Sequence, residues 1–143
     1  MENILIRYHV PDMIPIEMKE GGDWIDLRVA TDCYVQKGHS YLIPLGVSMK
    51  LPDGYEAYLA PRSSTFKKYG ILQTNGIGII DSSYCGDNDM WMMPVYATKN
   101  IFIHKNDRIC QFRIMKKQPK VEFVTVDHLN DEDRGGFGSA GRN

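Results

Sequence analysis

The sequence predicts an all-β fold, a sandwich, jelly roll or barrel. Short apolar-polar alternating runs recur along the chain, glycine and proline turns separate them, and no window sustains a helical period. At 143 residues the chain fits one domain, large enough for a core without metal or disulfide staples.

The elements follow in order. Ile4, Ile6, Tyr8 and Val10 alternate with Leu5, Arg7 and His9, a strand pattern that Pro11 and Pro15 end. Gly21-Gly22 is a turn before a short strand at Trp24-Ile25-Asp26-Leu27. Tyr41, Ile43, Leu45, Val47, Met49 and Leu51 alternate but are interrupted at Pro44 and Gly46, as at a bulge or kink. Pro52-Asp53-Gly54 is a turn, and Tyr55 to Ala60 another strand. Ser64 to Tyr69 offers one or two helical turns, and Asn75-Gly76 between apolar segments predicts a β-hairpin tip. Val95 to Ile103 supplies more strand; Cys110, Phe112 and Ile114 share one face, and Val121 to Val126 closes the set. From Asn130 the chain holds four glycines and a single aromatic, Phe137, which predicts a mobile arm. The division is a β domain over 1–129 and a Gly-rich arm over 130–143.

Composition excludes several classes. A net charge of −1 argues against a general nucleic-acid coat. The three cysteines are scattered without a Cys-x-x-Cys, which fits a reducing, cytoplasmic compartment. The four histidines make no zinc-ligand spacing. No apolar run is long enough to span a membrane, and no signal peptide opens the chain.

Three stretches carry candidate chemistry. In Thr74 to Gly86 a glycine-bearing turn precedes Ile79-Ile80, a carboxylate (Asp81), a phenol (Tyr84) and a glycine (Gly86). Glycines there allow close approach to backbone, so the turn is either a cradle for a flat ligand or a surface hairpin whose Asp81 caps it. Pro61-Arg62-Ser63-Ser64-Thr65 combines hydroxyls, a helix start and a planar guanidinium, which suits phosphate; the alternative is a serine N-cap beside a solvated arginine. Gly136-Phe137-Gly138-Ser139-Ala140-Gly141 spells G-x-G-x-x-G, but no strand precedes it and no helix can follow. Flanked by Arg134 and Arg142, it is a backbone clamp for phosphate or a plain tail. Asp127, Asp131, Glu132 and Asp133 lack the spacing of a calcium loop.

Taken together and in order, these motifs resemble the homotrimeric dUTPase family over nearly the whole chain. Asp26-Leu27 resembles the end of the family's first motif. Pro61-Arg62-Ser63-Ser64 with Gly70-Ile71 resembles the second, and Asn75, Gly78, Ile80-Asp81, Tyr84 and Gly86 the third. Asp107-Arg108-Ile109 with Gln111 resembles the fourth, and Arg134-Gly135 with Gly136 to Gly141 the fifth. The chain departs from the pattern at Asp23-Trp24-Ile25, in the Asp87 to Met93 stretch, and in a shortened fifth motif.

The resemblance implies a jelly-roll subunit, a trimer with three shared active sites, and Mg²⁺-assisted hydrolysis of dUTP to dUMP and pyrophosphate. Such an activity keeps uracil out of DNA and supplies dUMP for thymidylate synthesis. It implies Asp81 as the general base, and the backbone from Asn75 through Gly78 to Ile80 as the reader of uracil. Tyr84 would lie under the deoxyribose. Arg62, Ser63, Ser64 and Gln111 would contact the phosphate chain, and Arg134, Gly138 and Ser139 its far end. Phe137 would lid the base, with Met90 to Met93 as the alternative. Asp26 is either a water-mediated partner of Mg²⁺ or a turn-capping carboxylate. Two other activities compete: a dCTP deaminase, which would want a glutamate base near the pyrimidine, and a regulatory role through a protein partner, as in phage-type members.

Overall fold

The computed structural model describes residues 1–136. Its strands are β1 (Leu5–Tyr8), β2 (Ile25–Arg28), β3 (Cys33–Val35), β4 (Ser40–Pro44), β5 (Val47–Lys50) and β6 (Tyr55–Pro61). A short helix, α1 (Thr65–Tyr69), precedes β7 (Ile71–Gln73), β8 (Gly78–Ile80), β9 (Met92–Ala97), β10 (Ile101–Ile103) and β11 (Arg108–Lys116). The largest sheet has the order β2-β11-β6-β8, and a second runs β4-β9-β7. Two strand pairs, β1-β5 and β10-β3, complete the all-β architecture. No helix among the described residues is long and apolar enough to cross a membrane.

The core lies between these layers. Trp91 and Phe112 are its largest buried side chains and meet edge to face, with centroids 5.2 Å apart. Leu27, Ile43, Leu45, Leu59, Ile71, Met93 and Ile109 fill in around them. The predicted apolar face of β11 is observed: Cys110 and Phe112 are buried, and Ile114 packs against the core. A register shift between Arg108 and Cys110 in the pairing of β11 with β2 lets Ile109 turn inward as well.

The predicted interruption at Pro44 and Gly46 is the break between β4 and β5. Gly46 has φ +70°, a conformation costly for any residue with a Cβ, and an added Cβ would run into the Met13 sulfur and the Ala30 methyl. Gly46→Ala is therefore expected to lower stability by about 2–4 kcal/mol, strain and overpacking together. Urea unfolding would measure it.

Two expectations are corrected. Asn75-Gly76 is not the tip of a β-hairpin: β7 pairs with β9, whereas β8 pairs with β6. The turn instead carries the chain from one sheet to another, held by the Gln73 amide, which donates to the Leu59 carbonyl at 2.9 Å and to Asn75 Oδ1 at 2.9 Å. Val121 to Val126 is not a strand either. Val121, Phe123, Val124 and Val126 stand exposed and pair with no strand among the described residues.

Candidate active site

Among the described residues the strand β8 is the last of its sheet and paired on one side only, with Gly78 opposite Leu59 and Ile80 opposite Ala57. An unpaired strand edge presents backbone donors and acceptors to whatever lies beside it. Here that is a cavity of about 440 Å³, lined by Leu59, Asn75, Gly78, Ile80, Asp81 and Tyr84 among others. Five of the residues singled out in the sequence are thus brought to one place. The wall beside Gly78 is tight, since a Cβ there would meet Leu59 Cβ at 3.2 Å and Asn75 Nδ2 at 3.4 Å. Met90, Trp91 and Met92 complete the lining, while Met93 turns into the core.

Asp81 stands at the exit of β8, its side chain 64% exposed. Its Oδ1 accepts from the Ser83 N–H at 3.0 Å, from the Ser82 hydroxyl at 3.2 Å and from Lys117 Nζ at 3.3 Å. The Ser83 N–H first, and then the Lys117 ammonium, hold the carboxyl below its ordinary range, so it is ionised at neutral pH. Its Oδ2 has no partner among the described residues. Tyr84 is anchored at both ends: its N–H donates to the Asp81 carbonyl at 3.0 Å and its phenol to the Met90 carbonyl at 2.8 Å.

A second cluster sits at the far end of β6. Arg62 Nε donates to Asp26 Oδ1 at 3.0 Å, and Asp26 Oδ2 faces Lys19 at 3.5 Å and Arg108 at 3.8 Å. Asp26 is thus no turn cap but the hub of three cations, and it fixes the Arg62 fork through Nε. Thr65, not Ser64, organises the start of α1. Its hydroxyl accepts from the Arg62 N–H at 2.8 Å and donates to the Ile109 carbonyl at 2.9 Å. Ser64 makes no side-chain cap bond. The hydroxyls of Ser63 and Ser64 therefore have no partner among the described residues. Gln111, opposite Asp26 in the register, donates to the Pro61 carbonyl at 3.0 Å. Burial, and secondarily Asp26, push the Cys110 thiol far up, so it carries no chemistry here.

Sequence reasoning missed Gln73, Lys19 and Lys117. Each works through a partner distant in sequence or across a turn, and no local motif marks it. Arg134 is exposed with no ion pair among the described residues, and Phe137, Gly138 and Ser139 lie outside them. No group of three or more His, Cys, Asp or Glu side chains able to hold a metal occurs among the described residues.

Comparison with known proteins bears on this geometry. Residues 16–141 match the dUTPase family. The chain is 54% identical over 138 residues to the SPbeta prophage-derived deoxyuridine 5'-triphosphate nucleotidohydrolase of Bacillus subtilis strain 168, covering 96% of this chain and 97% of that protein. The deoxyuridine 5'-triphosphate nucleotidohydrolase of Streptomyces avermitilis is 32% identical over 142 residues, with coverage of 97% and 81%. Among solved structures, a Staphylococcus bacteriophage 80alpha dUTPase variant with dUpNHpp superposes with a TM-score of 0.77 at 17% identity, covering 98% and 99% of the two chains. A phage phi11 dUTPase variant with a structural Mg(II) ion gives a TM-score of 0.74 at 15% identity, with coverage of 90% and 99%. These structures share the fold, and the closer sequence relatives share the activity. The chain belongs to the dUTPase family and is a deoxyuridine 5'-triphosphate nucleotidohydrolase.

Proposed function

We propose that this chain hydrolyses dUTP through an Asp81-activated water, in a site shared between copies of the chain. The observation that carries the reading is the separation of the two clusters. Ala57, opposite Ile80, and Arg62 are five steps apart along one strand direction, about 17 Å at about 3.3 Å per residue. A carboxylate acting on phosphorus through one water reaches only two hydrogen-bond lengths. That separation supports a site in which one chain supplies the nucleoside pocket and base, and a neighbour supplies the Arg62 cluster. The exposed apolar side chains of Val121, Phe123, Val124, Val126 and Leu129 support contact between chains. A closed trimer, as the family resemblance implies, would hold three such sites.

Within the pocket, the outer edge of β8 would pair with uracil through main-chain groups. Gly78 packs closely against Leu59 and Asn75, so a side chain there would crowd the wall of the pocket, and the close backbone would exclude a 5-methyl group. The Tyr84 ring would support the deoxyribose and exclude a 2′-hydroxyl, a discrimination by steric conflict. The free Oδ2 of Asp81 would take a proton from water as its oxygen bonds to the α-phosphorus. The bond from that phosphorus to the α,β-bridging oxygen breaks, and pyrophosphate leaves with the electron pair. Arg62, Ser63, Ser64 and Gln111 would hold the phosphate chain, their donors aimed where charge accumulates. The arm from Asn130 onward, with Arg134, would close over it.

Mg²⁺ would be carried mainly by substrate phosphates and water, with Asp26 as its water-mediated protein partner. Bound there, Mg²⁺ would neutralise charge on the triphosphate.

The pH–rate profile tests the base. Because Asp81 titrates below the ordinary carboxylate range, kcat/KM is expected to hold through mildly acidic pH and fall only as Asp81 gains its proton. Lys117→Met removes one of the two largest causes of that depression, so the acid limb is expected to move to higher pH while the neutral-pH plateau survives. An acid limb unmoved by Lys117→Met would assign it to another group.

A further inference from the structure

Opposite the phenol anchor of Tyr84 lies a second set of contacts that the reaction scheme does not use. Ser48, on β5, is only 4% exposed. Its hydroxyl donates to the Asp89 carbonyl at 2.8 Å and lies 2.7 Å from His9 Nε2. A hydroxyl has one proton, and a carbonyl can only accept. The Ser48 proton is therefore spent on Asp89, and His9 Nε2–H must donate to the Ser48 oxygen. This places a proton on His9 Nε2 and fixes the direction of the chain of bonds.

The carbonyl that Ser48 holds belongs to the residue before Met90, whose own carbonyl receives the Tyr84 phenol. The same loop is closed on itself by the Asp89 carboxylate, which accepts from the Gly86 N–H at 2.8 Å. It rejoins β5 through the Trp91 N–H, which donates to the Val47 carbonyl at 2.9 Å. Backbone contacts thus fix the loop at Trp91, and the Ser48 hydroxyl is the side-chain bond that fixes it one residue before the Tyr84 anchor.

We propose that Ser48, oriented by His9, is a positioning residue for substrate discrimination: it fixes the Asp89-Met90 peptide and so the placement of the Tyr84 ring. This rests on the reading of Tyr84 as the platform beneath the deoxyribose. Neither Ser48 nor His9 touches substrate in this scheme. Loss of the Ser48 bond lets the Met90 carbonyl shift and the ring drift, which relaxes exclusion of a 2′-hydroxyl more than it slows the chemistry.

The test is the ratio of kcat/KM for dUTP to that for UTP, which is insensitive to the fraction of enzyme folded. Ser48→Ala is expected to lower this ratio about three- to tenfold, the worth of one neutral hydrogen bond. His9→Gln, which keeps a donor at similar reach, is expected to preserve the ratio, and His9→Phe to lower it. Tyr84→Phe removes the phenol from the same linkage, so Ser48→Ala combined with it should lower the ratio no further than Tyr84→Phe alone. Effects that multiply, or a ratio unchanged in Ser48→Ala while Tyr84→Phe lowers it, would overturn the proposal and leave the Tyr84 reading standing. Tyr84→Ala deletes the platform itself. A ratio unchanged there would defeat the reading of Tyr84 and the proposal with it.

Discussion

Asp81→Asn is expected to cut kcat by about 10²–10⁴-fold while changing nucleotide affinity only a few-fold, the usual contribution of a general base. Asparagine keeps the shape of the side chain, and its carbonyl oxygen still accepts from the Ser83 N–H, so the exit of β8 should hold its course. What it loses is a group able to take a proton. The cavity residues that would hold the nucleoside, Asn75, Gly78, Ile80 and Tyr84, are untouched. Single-turnover kinetics on dUTP, paired with calorimetric titration of a non-hydrolysable analogue, separates the two effects. Turnover near the wild-type value would remove Asp81 from the role of base.

Arg62→Ala is expected to act differently, lowering kcat/KM by about 10²–10³-fold, the scale of one lost donor to developing charge. Arg62 spends Nε on Asp26, which leaves the outer edge of the guanidinium for phosphate. Without it Asp26 still faces Lys19 and Arg108, so its carboxylate is not stranded and the fold should persist. Lysine at the same position would restore charge but not the fork, so Arg62→Lys is expected to recover only part of the loss. The contrast between the two positions is diagnostic, with Arg62→Lys recovering part of the loss at Arg62 and no charge-preserving change recovering it at Asp81.

Much of this was legible in the sequence, for identifiable reasons. Alternation located β1, β2, β4, β5, β6 and β11 but not the short β3, and Pro44 with Gly46 marked the break between β4 and β5, because those residues announce backbone conformation locally. The third-motif residues Asn75, Gly78, Ile80, Asp81 and Tyr84 do line one cavity, and Arg62 does pair with Asp26. What stayed hidden is pairing. Asn75-Gly76 declares a turn, but a turn does not say which strand its successor will join, and β8 joins β6 rather than β7. Val121 to Val126 has the alternation of a strand, yet alternation cannot supply a partner edge. The Arg62–Asp26 pair spans 36 residues and the Lys117–Asp81 pair 36, and neither spacing leaves a local signature. The bond from Ser48 to Asp89 spans 41 and links two stretches that no motif associates.

The central claim is that base and phosphate cluster come from different chains, and subunit complementation tests it most directly. Asp81→Asn and Arg62→Ala chains, each nearly inactive alone, would be denatured together in equal amounts and refolded. With the two halves of each site drawn independently from the mixed chains, about one site in four receives an intact half from each, so activity is expected to return to about a quarter of wild type. Mixtures no more active than the separate variants, despite verified exchange of subunits, would show that both residues serve the same site from the same chain and would contradict the account.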